Sequence, residues 1–391
     1  MIPLMKNAFI NEQKTKAALA EFILRAARLS MDAQCFEFEK QFAAWQGRKF
    51  AVLFNSGGSA NLAILQALKN LGRLKDGDNV GFSALTWSTN TMPIIQMGMA
   101  PVAVDCNPRT LNVMSADLRE RLKGTRMTAM FITNALGFAG DLDAIRTLCR
   151  ERGVILLEDN CEALGSELPG GKTGNFGLAS SFSFYVAHHM STIEGGMACT
   201  DDEDTAAMLK IVRANGWDRN LDPRQQAKWR GKYGIKGEFD AKYTFYDLGF
   251  NLRPTEITGF LGLRQLESLE GTLAKRESNF KLLDSAAKQN DELITIDYAH
   301  LSRVANFAFP VLCEIPQSRE KYLAGFTAAG IEIRPMIAGN IQRQPFYKKY
   351  VRSHFELPGT DFIHDCGFYC GNYPELTGED LAAISGCLKK R

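Results

Sequence analysis

The chain has 391 residues, of which 45% are hydrophobic, 23% charged and 10% aromatic, a composition that supports a large core and excludes long disordered, collagen-like or low-complexity tracts. Its 46 Lys and Arg against 44 Asp and Glu leave a formal net charge of +2, so no global field selects nucleic acid or an anionic membrane as partner. No uncharged apolar run approaches the roughly 20 residues of a membrane span, and the start MIPLMKNAFINEQKTK lacks the basic-then-apolar order of a signal peptide, which predicts a cytoplasmic protein.

From about residue 49 short apolar runs alternate with helical patterns, as in βαβ units feeding a mostly parallel sheet. The predicted strands are 49–54, 79–83, 101–105, 128–134, 154–157, 180–185 and 196–200. Between them, 59–68 reads as a helix with Ser59 as N-cap, and 141–152 as another with Leu142, Ile145 and Leu148 at helical spacing. A further helix follows Asp201 to about residue 214, and the polar stretch 215–242 reads as an active-site or interface loop. From Arg253 a long helical segment reaches the 270s. Strand and helix pieces then end in Thr377-Gly-Glu-Asp380, the capped start of a last helix. The fold class is therefore α/β, with a large domain over 1–255 and a smaller C-terminal domain over 256–391.

Three segments carry candidate chemistry. FNSGGSANL (54–62) follows a strand and opens a helix, so the Gly57 and Gly58 amides and the Ser56 and Ser59 hydroxyls suit a phosphate. It is neither a P-loop nor GxGxxG, and the same glycines also serve a plain turn. VILLEDNCEALGS (154–166) puts Glu158 and Asp159 at the carboxyl edge of the sheet, where α/β ligands bind. An Asp there either pairs with a protonated ring nitrogen or caps a helix. SFSFYVAHHMSTIEGGMACT (181–200) offers adjacent His188 and His189 as acid/base groups, with no further ligands spaced for a metal. The nine cysteines are scattered, and Cys366 and Cys370 lack a second pair, which predicts packed, reduced thiols and no metal site.

These segments, together with LGFNLRPTEITGFLG (248–262) and GIEIRPMIAGN (330–340), stand in an order that resembles the DegT/DnrJ/EryC/StrS family of nucleotide-sugar aminotransferases, a branch of the fold-type I pyridoxal phosphate enzymes. The resemblance runs from about residue 30 to the C-terminus. It implies an aspartate aminotransferase-like, cofactor-binding large domain with a mostly parallel mixed sheet, and a smaller α+β domain. In most of the family a Ser is followed five residues on by a Lys and, six residues after that, by Glu-Gly-Gly. Counting forward from Ser183 and back from Glu194 gives position 188, which here is His188. Imidazole cannot anchor the cofactor covalently, yet with an ordinary pKa of about 6.5 it can move a proton.

A His in that slot resembles the sugar 3-dehydratases of the family, which use the cofactor as pyridoxamine 5'-phosphate to expel the 3-hydroxyl of a 4-keto-6-deoxy nucleotide sugar, with L-glutamate restoring the amine. By position, the resemblance assigns Asp159 to the pyridine nitrogen, Trp87 to ring stacking, Gly57, Gly58 and Ser183 to the phosphate, and Glu162 to the neighbourhood of the cofactor's 3-hydroxyl. Asn251 would reach the phosphate from the second subunit of a homodimer with composite sites. Arg334 would grip the α-carboxylate of glutamate or form a domain-interface salt bridge, and Trp217 and Arg219 would line the sugar-nucleotide site, with a core position as the alternative for Trp217. Asn215, where the dehydratases typically have His, and Ser30-Met31-Asp32, where they have TMG, leave the exact sugar open. An iron-sulfur branch uses four cysteines, three of them close together; with no Cys between Cys199 and Cys313, no such cluster is expected here. The first expectation is thus a dehydratase. The alternatives are an aminotransferase acting on a keto or aldehyde sugar of lipopolysaccharide or related glycan biosynthesis, and a non-enzymatic regulatory or scaffold protein descended from such enzymes.

Overall fold

The computed structural model describes residues 1–390. Its centre is a seven-stranded sheet built from β1 (Phe50–Phe54), β2 (Asn79–Ser83), β3 (Ala100–Val104), β4 (Ala129–Thr133), β5 (Ile155–Asp159), β8 (Ala179–Ser183) and β9 (Gly196–Thr200), in the order β1-β9-β8-β5-β4-β2-β3. A short hairpin of β6 (Glu167–Leu168) and β7 (Gly171–Lys172) stands apart. β9 runs antiparallel to both its neighbours and every other pairing is parallel, so six strands end at one edge. The strands read as nearly continuous apolar runs because both faces are covered: in β4, Ala129 and Phe131 enter one core cluster while Met130 and Ile132 enter the other.

The flanking helices are α1 (Glu12–Arg25), α2 (Ala33–Gln46), α3 (Gly57–Asn70), α4 (Ser88–Gln96), α5 (Ser115–Gly124), α6 (Leu142–Arg152) and α7 (Glu203–Arg213). All seven predicted strands are present with shifts of at most a few residues. The N-cap of α3 is Ser56 and not Ser59: the Ser56 side chain accepts from the Ser59 amide at 3.0 Å, because the helix already begins at the glycines.

The stretch 215–242 is not a bare loop but holds α8 (Pro223–Lys232) and the single turn α9 (Glu238–Ala241). Asp222 caps α8 by accepting from Gln225 N at 2.8 Å, and Pro223 takes the first turn, where its missing N–H costs nothing. The segment after Arg253 is likewise two helices, α10 (Glu256–Leu266) and α11 (Leu269–Ala287), which break where Ser268 leaves helical geometry. The 255/256 boundary falls on Thr255, the cap of α10, and α10 packs on α2.

The C-terminal part places α12 (Pro316–Ala328), α13 (Pro345–Tyr350), α14 (Pro358–Cys366) and α15 (Gly378–Cys387) around a three-stranded antiparallel sheet. That sheet orders as β10 (Ala308–Leu312), β12 (Gly367–Gly371) and β11 (Ile333–Pro335). Thr377 and Asp380 form the predicted capping box of α15. Cys366 and Cys370 are buried in the core beneath this sheet, which is continuous with the α6 side of the large sheet. Among the described residues no helix is long and apolar enough to cross a membrane.

Candidate active site

The polar residues singled out by sequence gather where the parallel strands end, as expected for an open α/β sheet. Ser56 spends its side chain on the Ser59 amide and its carbonyl on the Ala60 amide at 3.1 Å. The amides of Gly57 and Gly58 therefore remain as donors at the positive end of α3. A Cβ on Gly57 would lie 2.7 Å from the Ser183 Cβ and 2.9 Å from Cys161 Sγ, so only glycine lets the helix start this close to the end of β8. Gly196, of the EGG turn, is bound by the same packing, since its Cβ would meet Ser56 O at 2.2 Å. The result is a lining of amides and hydroxyls with no room for side chains, the chemistry of a phosphate cup.

The two acids of β5 do different work. Glu158 is fully buried and accepts from the amides of Gly174, Phe176 and Gly177, each at 2.7 Å, so it pins that loop, although burial raises its pKa. Asp159 is 4% exposed and accepts from Asn61 Nδ2 at 2.8 Å and from Cys161 N at 2.9 Å. The Cys161 side chain bonds it as well, and the roughly four acceptor sites of a carboxylate still leave one for a cationic N–H. Asp159 is therefore not a helix cap, and Asn61, on α3, ties it to that helix. Asn61 lies within the FNSGGSANL segment but was missed, because a mid-helix Asn carries no signal until its partner is known.

Glu162 accepts from Leu136 N at 2.9 Å, and burial raises its carboxyl to about 7. Leu136 adopts φ 56°, a left-handed conformation uncommon for a side chain of this kind, and its carbonyl accepts from Phe307 N at 3.1 Å. The Phe307 ring lies 5.2 Å from the His188 ring, centre to centre, so a chain of contacts through Leu136 and Phe307 links Glu162 to His188. His188 is held by its backbone: its amide donates to Tyr185 O at 2.9 Å and its carbonyl accepts from Arg276 at 3.4 Å. Burial and the Arg276 charge push its imidazole down to about 4, leaving it neutral at pH 7. His189 is buried, with Nε2 on Ala305 O at 2.8 Å, which makes it structural.

Trp87 is 57% exposed and stands over a cavity of about 610 Å³, bounded opposite by Pro335, Met336 and Ile337. Arg334 is the cross-strand partner of Tyr369, whose hydroxyl feels both Glu162 and Arg334, which brings the guanidinium to the Glu162 side. It is half exposed and pairs with Glu332, just before its own strand, and so is not a domain-interface salt bridge.

Trp217 and Arg219 are brought together in a different cleft of about 400 Å³. Trp217 stacks on Tyr243, with ring centres 5.6 Å apart, and the Arg219 guanidinium lies 5.3 Å over the indole. Asn251 is exposed, while its neighbour Leu252 accepts from the Asn55 amide at 3.1 Å, which fixes this segment beside the turn that leads from β1 into α3. Asn215 sits at φ 59°, a left-handed position that Asn tolerates better than most residues. Among the described residues no group of His, Cys, Asp or Glu is arranged to hold a metal.

The profile of the DegT/DnrJ/EryC1/StrS aminotransferase family matches residues 10–389, about a helix further toward the N-terminus than expected. The chain is 31% identical over 373 residues to GDP-4-keto-6-deoxy-D-mannose 3-dehydratase of Escherichia coli O55:H7, covering 94% of this chain and 95% of that protein. It is 32% identical over 351 residues to GDP-perosamine synthase of Caulobacter vibrioides, covering 89% and 86%. A crystal structure of GDP-4-keto-6-deoxymannose-3-dehydratase with a trapped PLP-glutamate geminal diamine superposes with a TM-score of 0.91 and 29% identity over the whole of both chains. This protein belongs to the DegT/DnrJ/EryC1/StrS aminotransferase family and has the fold of its pyridoxal phosphate enzymes.

Proposed function

We propose that this chain is a pyridoxal/pyridoxamine 5'-phosphate-dependent 3-dehydratase of a 4-keto-6-deoxy nucleotide sugar, with L-glutamate as amine donor. The observation that carries this reading is His188, a neutral, half-buried imidazole where an aminotransferase of the family needs its lysine. When bound, the cofactor supplies an amine that joins the 4-keto carbon and a ring that withdraws electrons. The residues fit such a group. Gly57, Gly58 and Ser183 hold its phosphate, Asp159 keeps its ring nitrogen protonated, Trp87 covers a ring face, and Glu162 sits near its 3-hydroxyl.

His188 then takes and returns a proton at its ring nitrogen, which assists departure of the sugar's 3-hydroxyl. Arg334 binds the glutamate carboxylate, Trp217 and Arg219 bind the sugar nucleotide, and Asn251 completes the phosphate cup of a second subunit in a cytoplasmic homodimer. In sum, the sugar loses the oxygen at C3 and gains two electrons, while glutamate loses two electrons and becomes 2-oxoglutarate and ammonia. The water expelled from the sugar balances the water consumed in releasing the nitrogen.

Incubation with GDP-4-keto-6-deoxymannose, L-glutamate and cofactor tests this. One ammonia and one 2-oxoglutarate should appear per sugar consumed, with a nitrogen-free product lacking oxygen at C3. A product that retains nitrogen and the 3-hydroxyl would make the protein an aminotransferase, the activity for which its family is named.

Gly57→Ala probes the phosphate cup. The new methyl enters the space of Ser183 and Cys161 and pushes the start of α3 away, so affinity for pyridoxamine phosphate should fall about tenfold or more. Titration of the apoprotein, followed by cofactor absorbance, checks this, and unchanged affinity would place the phosphate elsewhere.

A further inference from the structure

Behind His188, on the side closed by the N-terminal segment, lies a cavity of about 20 Å³ whose lining includes His188, His189, Arg276 and Glu375. That is room for one water. Each of these residues has a buried polar atom with no protein partner: Nδ1 of His188, Nδ1 of His189, Nε of Arg276 and Oε2 of Glu375. Three of the four roles are already fixed. Arg276 Nε–H can only donate, and a carboxylate oxygen can only accept. His189 is neutral, since burial and Arg276 hold its pKa well below the ordinary value, and its Nε2–H donates to Ala305 O. Its Nδ1 is therefore a bare acceptor.

A water accepts two hydrogen bonds and donates two. It donates to Glu375 Oε2 and His189 Nδ1, and it accepts from Arg276 Nε–H, which leaves one acceptance to be filled by His188. We propose that a single buried water joins these four residues and fixes His188 as the Nδ1–H tautomer, so that Nε2 carries the lone pair that receives the proton. With the other tautomer the water would face three acceptors and one donor, and one buried atom would stay unpaired. Glu375 is thereby a positioning residue, acting on the reaction through the water and through His188. Its other oxygen is steadied by Asn7 Nδ2 at 3.4 Å. The inference rests on His188 being the base of the proposed dehydratase, but the tautomer can be measured without turnover.

The experiment uses full-length, cofactor-free protein with ¹⁵N-labelled histidine, the His188 signals being assigned by their loss in His188→Asn. Wild type should show protonated Nδ1 and bare Nε2 at neutral pH. Glu375→Leu removes one acceptor, which leaves the water with two acceptors and one donor only if His188 Nδ1 is bare. The tautomer should then invert, with kcat falling about tenfold or more and KM for the sugar unchanged. Glu375→Gln retains a carbonyl acceptor and should keep the wild-type tautomer and most of the activity.

An Nε2–H tautomer in wild type overturns the proposal, as does an Nδ1–H tautomer that survives in Glu375→Leu. Should Glu375→Leu fail to fold, the wild-type and Glu375→Gln spectra decide. A wild-type Nδ1–H signal in a protein that proves to transfer amines would sink the dehydratase reading and leave the water bridge standing.

Discussion

His188→Asn should retain the cofactor and lose solvent-deuterium incorporation at its C4′ carbon, together with release of the sugar's 3-hydroxyl, by about 10²- to 10⁴-fold. Retention is expected because His188 contributes to the fold mainly through its backbone bonds to Tyr185 and Arg276, which Asn keeps. The phosphate cup and Asp159 lie on other elements. His189 cannot take over, because its Nε2 is committed to Ala305.

The pH dependence has a definite sign. Burial and Arg276 hold the His188 imidazole down at about 4, below the ordinary 6.5, so the base form persists through neutral and mildly acidic pH. An acid limb due to His188 belongs near pH 4. A limb near 7 instead belongs to Glu162, whose carboxyl is raised to about 7, and should vanish in Glu162→Gln. For stability, the unfolded chain takes up the His188 proton first, so the folded state should lose stability as pH falls from about 6.5 toward 4. Unchanged exchange in His188→Asn would remove this residue from the chemistry.

How much was legible in the sequence depends on the range of the interaction. The strands were readable because a sheet covered on both faces needs apolar residues at every position, as in Met130, Phe131 and Ile132. The place of Asp159 at the end of β5 was readable because the apolar run stops in two acids. The Thr377 capping box is a local four-residue pattern and was found. α8 has an equally local signal, Asp222-Pro223, but its Lys- and Arg-rich composition hid it inside a stretch taken for a loop.

The residues that sequence reading missed are those whose meaning is a distant partner. Asn61 reaches Asp159 across 98 positions, and Arg276 reaches the His188 carbonyl across 88. Glu375 reaches Asn7 from the other end of the chain. The absent lysine, by contrast, was visible once the family resemblance supplied the pattern to count against, and the count holds because Ser183 and the EGG turn are fixed by β8, β9 and the crowding of Gly196 against Ser56.

Asp159→Ala should lower turnover by roughly two orders of magnitude or more. Without the carboxylate, a pyridine nitrogen in this buried setting sheds its proton and the ring no longer draws electrons from the reacting carbon. The Ala variant also strands two donors, Asn61 Nδ2 and Cys161 N, at about 1–3 kcal/mol each when a buried group loses its partner. A loss of activity in Ala alone therefore mixes chemistry with packing. Asp159→Asn separates them: its amide oxygen can still accept from one of the two donors, and its volume is the same, but it offers an N–H instead of a negative charge to the ring. Asp159→Asn should melt close to wild type, bind pyridoxamine phosphate within about tenfold of wild type, and turn over as poorly as Asp159→Ala. Thermal denaturation, cofactor titration and kcat, measured on both variants, check this. If Asp159→Asn turns over normally, the charge at the end of β5 is not used, and Asp159 serves only to hold α3 and the Cys161 turn in place.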